Sequence, residues 1–336
     1  MNHSDRNAHA NNVFTGPDAV RDFLNPGASL PTPLIELPES VNPYAKDKVR
    51  IYAKASFMGP LFNIKQLGAL NLLQDAQASG KLRGVHTLVE NSSGNMILGI
   101  AVLARFFGVK RVVGVVSRDI APGKLEVLRL FGVEPEFNNE TPGEQSGIMQ
   151  ARELGKQPGW LNLAQYENDA NPQASEKWLG PDIWEQTGGA LTIFCAGIGT
   201  SGTLVGSARF LKTQAPSIAV VGVIPLVDTV PGVRSPKRLK EVEIDWASKL
   251  DYRVDMETKR SFKLSLDLCR LGVLAGPSSG MAFAGLLKFI EERKAEGALD
   301  RFRNKDGEVV ATFVCPDSAL LYLEKYSTHL DAADLA

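Results

Sequence analysis

The chain has 336 residues, of which 44% are hydrophobic and 22% charged, and its net charge is −1. A balance this close to neutral creates no field for gathering nucleic acid or an acidic membrane surface, and no run reaches the roughly 18 apolar residues of a bilayer span. The length suits about two domains with a sizeable core.

Residues 1–12, opening Met1-Asn2-His3-Ser4-Asp5-Arg6, are polar and read as a flexible leader. They lack the apolar core of a secretory signal, so a cytoplasmic protein is expected. Beyond them, apolar β-rich runs alternate with helical patterns. Strands are expected at Ile51–Phe57, His86–Asn91, Arg111–Ser117, Leu191–Gly197, Ile218–Ile224 and Val309–Pro316. Helices are expected at Ile64–Ala78, Ser93–Phe107, Pro122–Phe131, Gly202–Gln214, Lys259–Arg270 and Ser278–Arg293. Gly108 and Gly132 stand where helix C-caps belong. The run Val112-Val113-Gly114-Val115-Val116 is apolar throughout, as strands covered on both faces are. This alternation predicts an α/β fold of mostly parallel sheet with helices on both sides. The stretch Asn138–Gly143 interrupts the rhythm. It divides the chain into a smaller α/β domain, 46–140, and a larger one made of 13–45 plus 141–330.

Cys195, Cys269 and Cys315 lie in apolar stretches and read as buried, reduced thiols. The four histidines include His3, His9 and His329 near the termini. A His/Cys metal cluster and a histidine triad are therefore excluded, and no metal is expected.

Chemistry is expected at the ends of strands, where ligands of such sheets bind. The turn Gly199-Thr200-Ser201-Gly202-Thr203 joins a strand to a helix. Its glycines allow close backbone approach, and its hydroxyls and the helix dipole offer donors to a phosphate. A tight connection alone would also explain it, and it is neither a Walker loop nor a complete dinucleotide fingerprint. Ser92-Ser93-Gly94-Asn95 makes a second strand-to-helix turn. Either serine can serve as N-cap, but capping leaves the second serine and Gly94-Asn95 unexplained. Lys65 follows Gly59-Pro60-Leu61-Phe62-Asn63-Ile64 at a helix start. A solvated lysine is one reading; the other is an amine that attacks the aldehyde of a phosphorylated cofactor, which requires its neutral form. Lys54 lies on a strand whose alternating context favours an exposed position.

The order and spacing of these segments carry a resemblance. They are Leu30-Pro31-Thr32-Pro33-Leu34, the lysine turn, Ser92-Ser93-Gly94-Asn95, Gln165-Tyr166-Glu167-Asn168, Ala170-Asn171-Pro172, Gly180-Pro181-Asp182-Ile183-Trp184, Gly197-Ile198-Gly199-Thr200-Ser201-Gly202-Thr203 and Pro277-Ser278-Ser279-Gly280. Over residues 28–328 the chain resembles the cysteine synthase/cystathionine β-synthase family of fold-type II pyridoxal-phosphate enzymes. The resemblance implies two three-layer α/β domains of tryptophan synthase β-like fold, with pyridoxal 5′-phosphate in the cleft between them. It implies that Lys65 bonds the cofactor, Asn95 meets its ring hydroxyl, Gly199, Thr200, Ser201, Gly202 and Thr203 hold its phosphate, and Ser278 faces its pyridine nitrogen. Ser92, Ser93 and Gln165, with Gly94 and Met96 of the same turn, would receive the substrate carboxylate. The implied reaction is β-replacement on an activated serine through an aminoacrylate, as in a cysteine synthase, carried out by a homodimer on small amino-acid substrates.

Several positions depart from the family pattern. Asn63-Ile64-Lys65-Gln66-Leu67 replaces Ser-x-Lys-Asp-Arg and loses an ion pair beside the lysine. Met96 replaces a threonine of the carboxylate turn, and Trp178-Leu179-Gly180-Pro181-Asp182 replaces Thr-Thr-Gly-Pro-Glu. Val230-Pro231-Gly232-Val233-Arg234-Ser235-Pro236-Lys237-Arg238 replaces a glycine-rich loop. It reads either as a solvated basic loop or as a loop that places Arg234 beside an anionic leaving group or an acidic nucleophile. These departures leave open an amine-accepting reaction of diaminopropionate type, a cystathionine β-synthase-like activity, a β-eliminating lyase or dehydratase, and an inactive cofactor-binding relative.

Overall fold

The structure is a computed structural model and describes residues 11–138, 146–227 and 229–335. Most of the expected leader, and the turn after Asn138 expected to divide the domains, lie outside the described residues. The strands are β1 (Leu34–Glu36), β2 (Val49–Lys54), β3 (Thr87–Asn91), β4 (Arg111–Ser117), β5 (Val133–Asn138), β6 (Trp160–Asn162), β7 (Ile193–Gly197), β8 (Ala219–Pro225), β9 (Tyr252–Met256) and β10 (Val309–Val314). The α-helices are α1 (Ala19–Phe23), α2 (Lys65–Ala78), α3 (Asn95–Leu103), α4 (Pro122–Leu130), α5 (Gly147–Leu154), α6 (Ala170–Ala174), α7 (Gly180–Gln186), α8 (Gly202–Gln214), α9 (Thr258–Arg270), α10 (Pro277–Ala295), α11 (Leu323–His329) and α12 (Ala332–Leu335). Among the described residues no helix is long and apolar enough to cross a membrane.

The chain divides into two compact units. One holds Lys65–Ala174 with the chain up to Pro31, built on a four-stranded parallel sheet in the order β5-β4-β3-β6. The other holds Thr32–Ile64 and Ser175–Ala336, built on a six-stranded sheet in the order β1-β2-β10-β7-β8-β9. Only β1 runs antiparallel to its neighbour there. Every residue of β3, β8 and β10 is buried, which requires cover on both sheet faces, as expected for this α/β class.

The unit boundaries differ from the expected 46–140 and 13–45 plus 141–330. The strand β2 registers beside β10 over Val49↔Val309 to Lys54↔Val314, so it belongs to the six-stranded sheet. The four-stranded unit in turn continues through α6 to Ala174. β2 also stops at Lys54 and not at Phe57, because Ser56–Met58 turns into a short 3₁₀ helix.

Lys54 overturns its expected exposure. Its side chain is fully buried, and Nζ donates to the Thr32 carbonyl (2.6 Å) and Gln186 Oε1 (2.7 Å), with Asp182 Oδ2 at 3.9 Å. A buried charge is tolerated only with such partners. Lys54→Met removes the buried cation beside the Asp182 carboxylate and leaves the Thr32 carbonyl and Gln186 without its donor, and should cost about 3 kcal/mol of unfolding free energy. In urea denaturation, the double variant Lys54→Met/Asp182→Asn should recover part of that loss.

Candidate active site

Within the four-stranded unit, Lys65 is the first residue of α2, and its side chain is partly exposed. The helix it opens is fixed by small residues. At Gly99 of α3, an added Cβ would lie 3.0 Å from the Ala69 methyl, 3.6 Å from the Lys65 carbonyl oxygen and 3.8 Å from Gln66 Cα. At Gly68, an added Cβ would meet Asn171 Oδ1 at 2.8 Å and Met96 Cε at 3.1 Å. The helices α2 and α3 therefore pack nearly backbone to backbone at the start of α2.

The turn Ser92–Met96 connects β3 to α3. Neither serine caps the helix: Gly94 does, with φ +123°, a conformation that glycine adopts readily. Ser92 is buried, and its Oγ accepts the Gly94 N–H at 3.1 Å, shaping the turn instead. Ser93 is exposed, while Asn95 is buried as the first residue of α3. The Met96 side chain is fully buried and directed at Gly68, so its own side chain is a packing element. Gln165 is buried as well, and its amide donates to the Asn91 carbonyl at 2.7 Å. Asn171 in turn donates to the Gln165 carbonyl at 2.7 Å.

Two charged residues that sequence reasoning passed over support this turn. Glu90, fully buried at the end of β3, accepts the Asn91 N–H on Oε1 (3.0 Å) and the Gln165 N–H on Oε2 (3.3 Å). Burial pushes its carboxyl up to about 7, against the lowering effect of those N–H donors. Lys124, in the first turn of α4, is also buried; its Nζ reaches the Ser93 carbonyl at 3.4 Å and its Cδ lies against Gly94. A carboxylate inside an otherwise apolar strand was the available signal for Glu90; nothing local in the sequence marked Lys124.

Within the six-stranded unit, Gly199–Thr203 leads from β7 into α8, a helix of 13 residues. Ser201 takes a left-handed conformation, φ +68°, immediately before α8, and the first turn of that helix presents N–H groups that lack intrahelical partners. Gly199 admits no side chain: a Cβ there would sit 2.3 Å from the Gly232 carbonyl oxygen. The loop Val230–Arg238 is thus packed on this turn. Arg234 is buried, its N–H bonded to the Ile198 carbonyl at 2.9 Å and its guanidinium to Glu241 Oε2 at 3.2 Å. The solvated-loop reading fails at Arg234 and holds at exposed Lys237. Ser278 is buried in the first turn of α10, directly after Pro277. Gly280 serves packing, since a Cβ there would lie 2.1 Å from the Ser261 carbonyl of α9. Cys195 and Cys315 are buried and Cys269 partly so; burial raises all three thiols.

The comparisons with known proteins agree on one family. The pyridoxal-phosphate dependent enzymes match residues 27–301, and the chain belongs to that family. Cysteine synthase B of Pseudomonas aeruginosa is 32% identical over 235 residues, covering 69% of this chain and 78% of the relative. The crystal structure of an O-acetylserine dependent cystathionine β-synthase from Helicobacter pylori superposes with a TM-score of 0.73 at 26% identity, covering 88% of this chain and 94% of that one. That of an O-ureido-L-serine synthase gives 0.73 at 25% identity, covering 90% and 93%. The protein is therefore a pyridoxal-phosphate dependent enzyme of fold type II. The chemistry of the residues present is compatible with the cofactor: the N-terminus of α8, preceded by the Gly199–Thr203 turn, suits a phosphate, and Lys65 offers an amine at a tightly held helix start.

The buried carboxyl gives a pH signature. Burial lets folded Glu90 keep its proton up to about pH 7, whereas the unfolded, solvated group releases it near the ordinary glutamate value of 4.5. The folded state thus holds more protons between those values, and stability falls as pH rises through that window. Relative to Glu90→Gln, the parent should lose on the order of 3 kcal/mol between pH 4.5 and pH 8 in urea unfolding.

Proposed function

We propose that this enzyme catalyses β-replacement on an activated serine, with cysteine synthase activity as its foremost form. The observation that carries this reading is a lysine at a gripped helix start combined with two helix N-termini suited to anions, in a chain 32% identical to a cysteine synthase B. When bound, pyridoxal phosphate supplies electron withdrawal from the substrate's α-carbon. Lys65 would be the residue that holds the cofactor aldehyde, and its amine, when free, would serve as the base for the substrate's α-proton and as the acid that returns it. The N–H groups of the Ser92–Met96 turn hold the substrate α-carboxylate, with Ser92, Ser93 and Gln165 around it. Asn95 would orient the ring hydroxyl, and Gly199–Thr203 would hold the phosphate. Ser278 would be the neutral partner of the ring nitrogen, which would favour loss of a β-substituent over transamination.

A nucleophile other than the one yielding cysteine is the second reading, favoured by the likeness to an O-ureido-L-serine synthase. An amine acceptor of diaminopropionate type belongs to it. The reading carries with it small amino-acid substrates, a homodimer and a cytoplasmic location.

Borohydride treatment of the holoprotein should fix a pyridoxyl group on Lys65 and on no other lysine, read by peptide mass. Serine derivatives supplied with candidate nucleophiles should then give β-substituted products identifiable by mass spectrometry; a tag on another lysine overturns the assignment. Arg234→Ala removes a buried cation while keeping the backbone bond to Ile198. It should raise KM for one substrate about tenfold and leave cofactor affinity within about twofold, as measured by steady-state kinetics and cofactor titration.

A further inference from the structure

The residue after Lys65 is tied to a segment that no motif includes. Gln66 is 3% exposed, and its Nε2 donates to the Leu24 carbonyl at 2.7 Å. Leu24 ends the short helix α1 and is itself buried. The surrounding arm is ordered by its own bonds: Leu24 N to Val20 O (3.1 Å), Ala28 N to Asn25 O (2.9 Å), Gly27 N to Asn25 Oδ1 (3.0 Å) and Ser29 Oγ to Phe23 O (3.0 Å). Phe14 and Phe23 stack edge to face at 5.6 Å. The first turn of α2 is therefore held by the arm through Gln66 and by α3 through Gly99.

We propose that the arm Asp18–Ala28 positions Lys65 for bonding to the cofactor, with Gln66 as the positioning residue that transmits its hold. This rests on the function proposed for Lys65. The physical reason is geometric: an amine must reach an aldehyde carbon whose place is set by a phosphate held elsewhere, so its Cα tolerates little displacement. The position after the lysine carries an acid in the family pattern. Here a buried amide takes that place, and its donor is satisfied by a main-chain carbonyl of the arm, not by a neighbouring side chain.

The test separates covalent capture from cofactor docking, using the full chain as apoprotein. Stopped-flow mixing with pyridoxal phosphate follows visible absorbance as the lysine nitrogen replaces the aldehyde oxygen and one water leaves. Binding of pyridoxine 5′-phosphate, which has ring and phosphate but no aldehyde, reports docking alone. Gln66→Leu keeps the volume and removes the donor; it should slow capture about tenfold or more while pyridoxine phosphate affinity stays within about twofold. Gln66→Glu should capture slowly at pH 8 and approach the parent rate at lower pH, where its protonated carboxyl can again donate to Leu24. Capture by Gln66→Leu at the parent rate, or a parallel loss of capture and docking, overturns the proposal, and should Gln66→Glu not fold, the leucine variant decides alone. If the parent itself fails to capture pyridoxal phosphate at Lys65, the proposed function fails first, before any variant is compared.

Discussion

The closeness of α3 to the first turn of α2 is the constraint on which the lysine's placement depends. Gly99 brings the two backbones so near that even a methyl group would press on Ala69, and Gly68 does the same opposite Met96 and Asn171. Packed interiors yield little to added volume. The start of α2, and with it the Lys65 backbone, therefore has one position within its unit.

That constraint gives the departures from the family pattern a physical meaning. Met96 stands where the family pattern has a threonine hydroxyl, and its side chain fills the space over Gly68 and so strengthens the contact between the two helices. Gln66 removes an acid and puts in its place a buried amide bonded to the arm. Both substitutions exchange polar contacts near the site for packing or main-chain bonding around α2. The loop that carries Arg234 is likewise held by packing: it is folded onto the Gly199–Thr203 turn, where the absent Cβ of Gly199 lets the Gly232 carbonyl approach. Its cation is held by Glu241 and by the backbone of Ile198.

Buried ionisable side chains are a second theme. Lys54 lies at the end of β2 among Thr32, Gln186 and Asp182. Glu90 joins β3 to Gln165 through backbone N–H groups, and Lys124 reaches the Ser93 carbonyl. A desolvated charge is costly unless its partners are fixed, so each of these groups ties its neighbouring segments to one arrangement. The Ser92–Met96 turn has such groups at both its strand end and its helix end.

What was legible in the sequence follows from how much of each element is buried. The strands expected from apolar runs, β2, β3, β4, β7, β8 and β10, are the interior strands of the two sheets, and their pattern survives because both faces are covered. The strands that were missed, β1, β5, β6 and β9, are the four sheet edges. They are short or alternate with charge, and β5 contains Pro135, which an edge strand tolerates. The glycine- and serine-rich turns could be read as strand-to-helix junctions, because backbone geometry there restricts which residues can stand, and Lys65 could be placed at a helix start. By itself, then, the sequence determined the fold class, the family and the chemical character of its turns. Only the tertiary structure decided which sheet claims β2, that Lys54 and Arg234 are buried, that Met96 packs inward, and that Glu90, Lys124 and Gln66 brace the segments around the turn and the lysine. Each of these depends on contacts between residues distant along the chain, and a local pattern holds no record of which partner a side chain will meet.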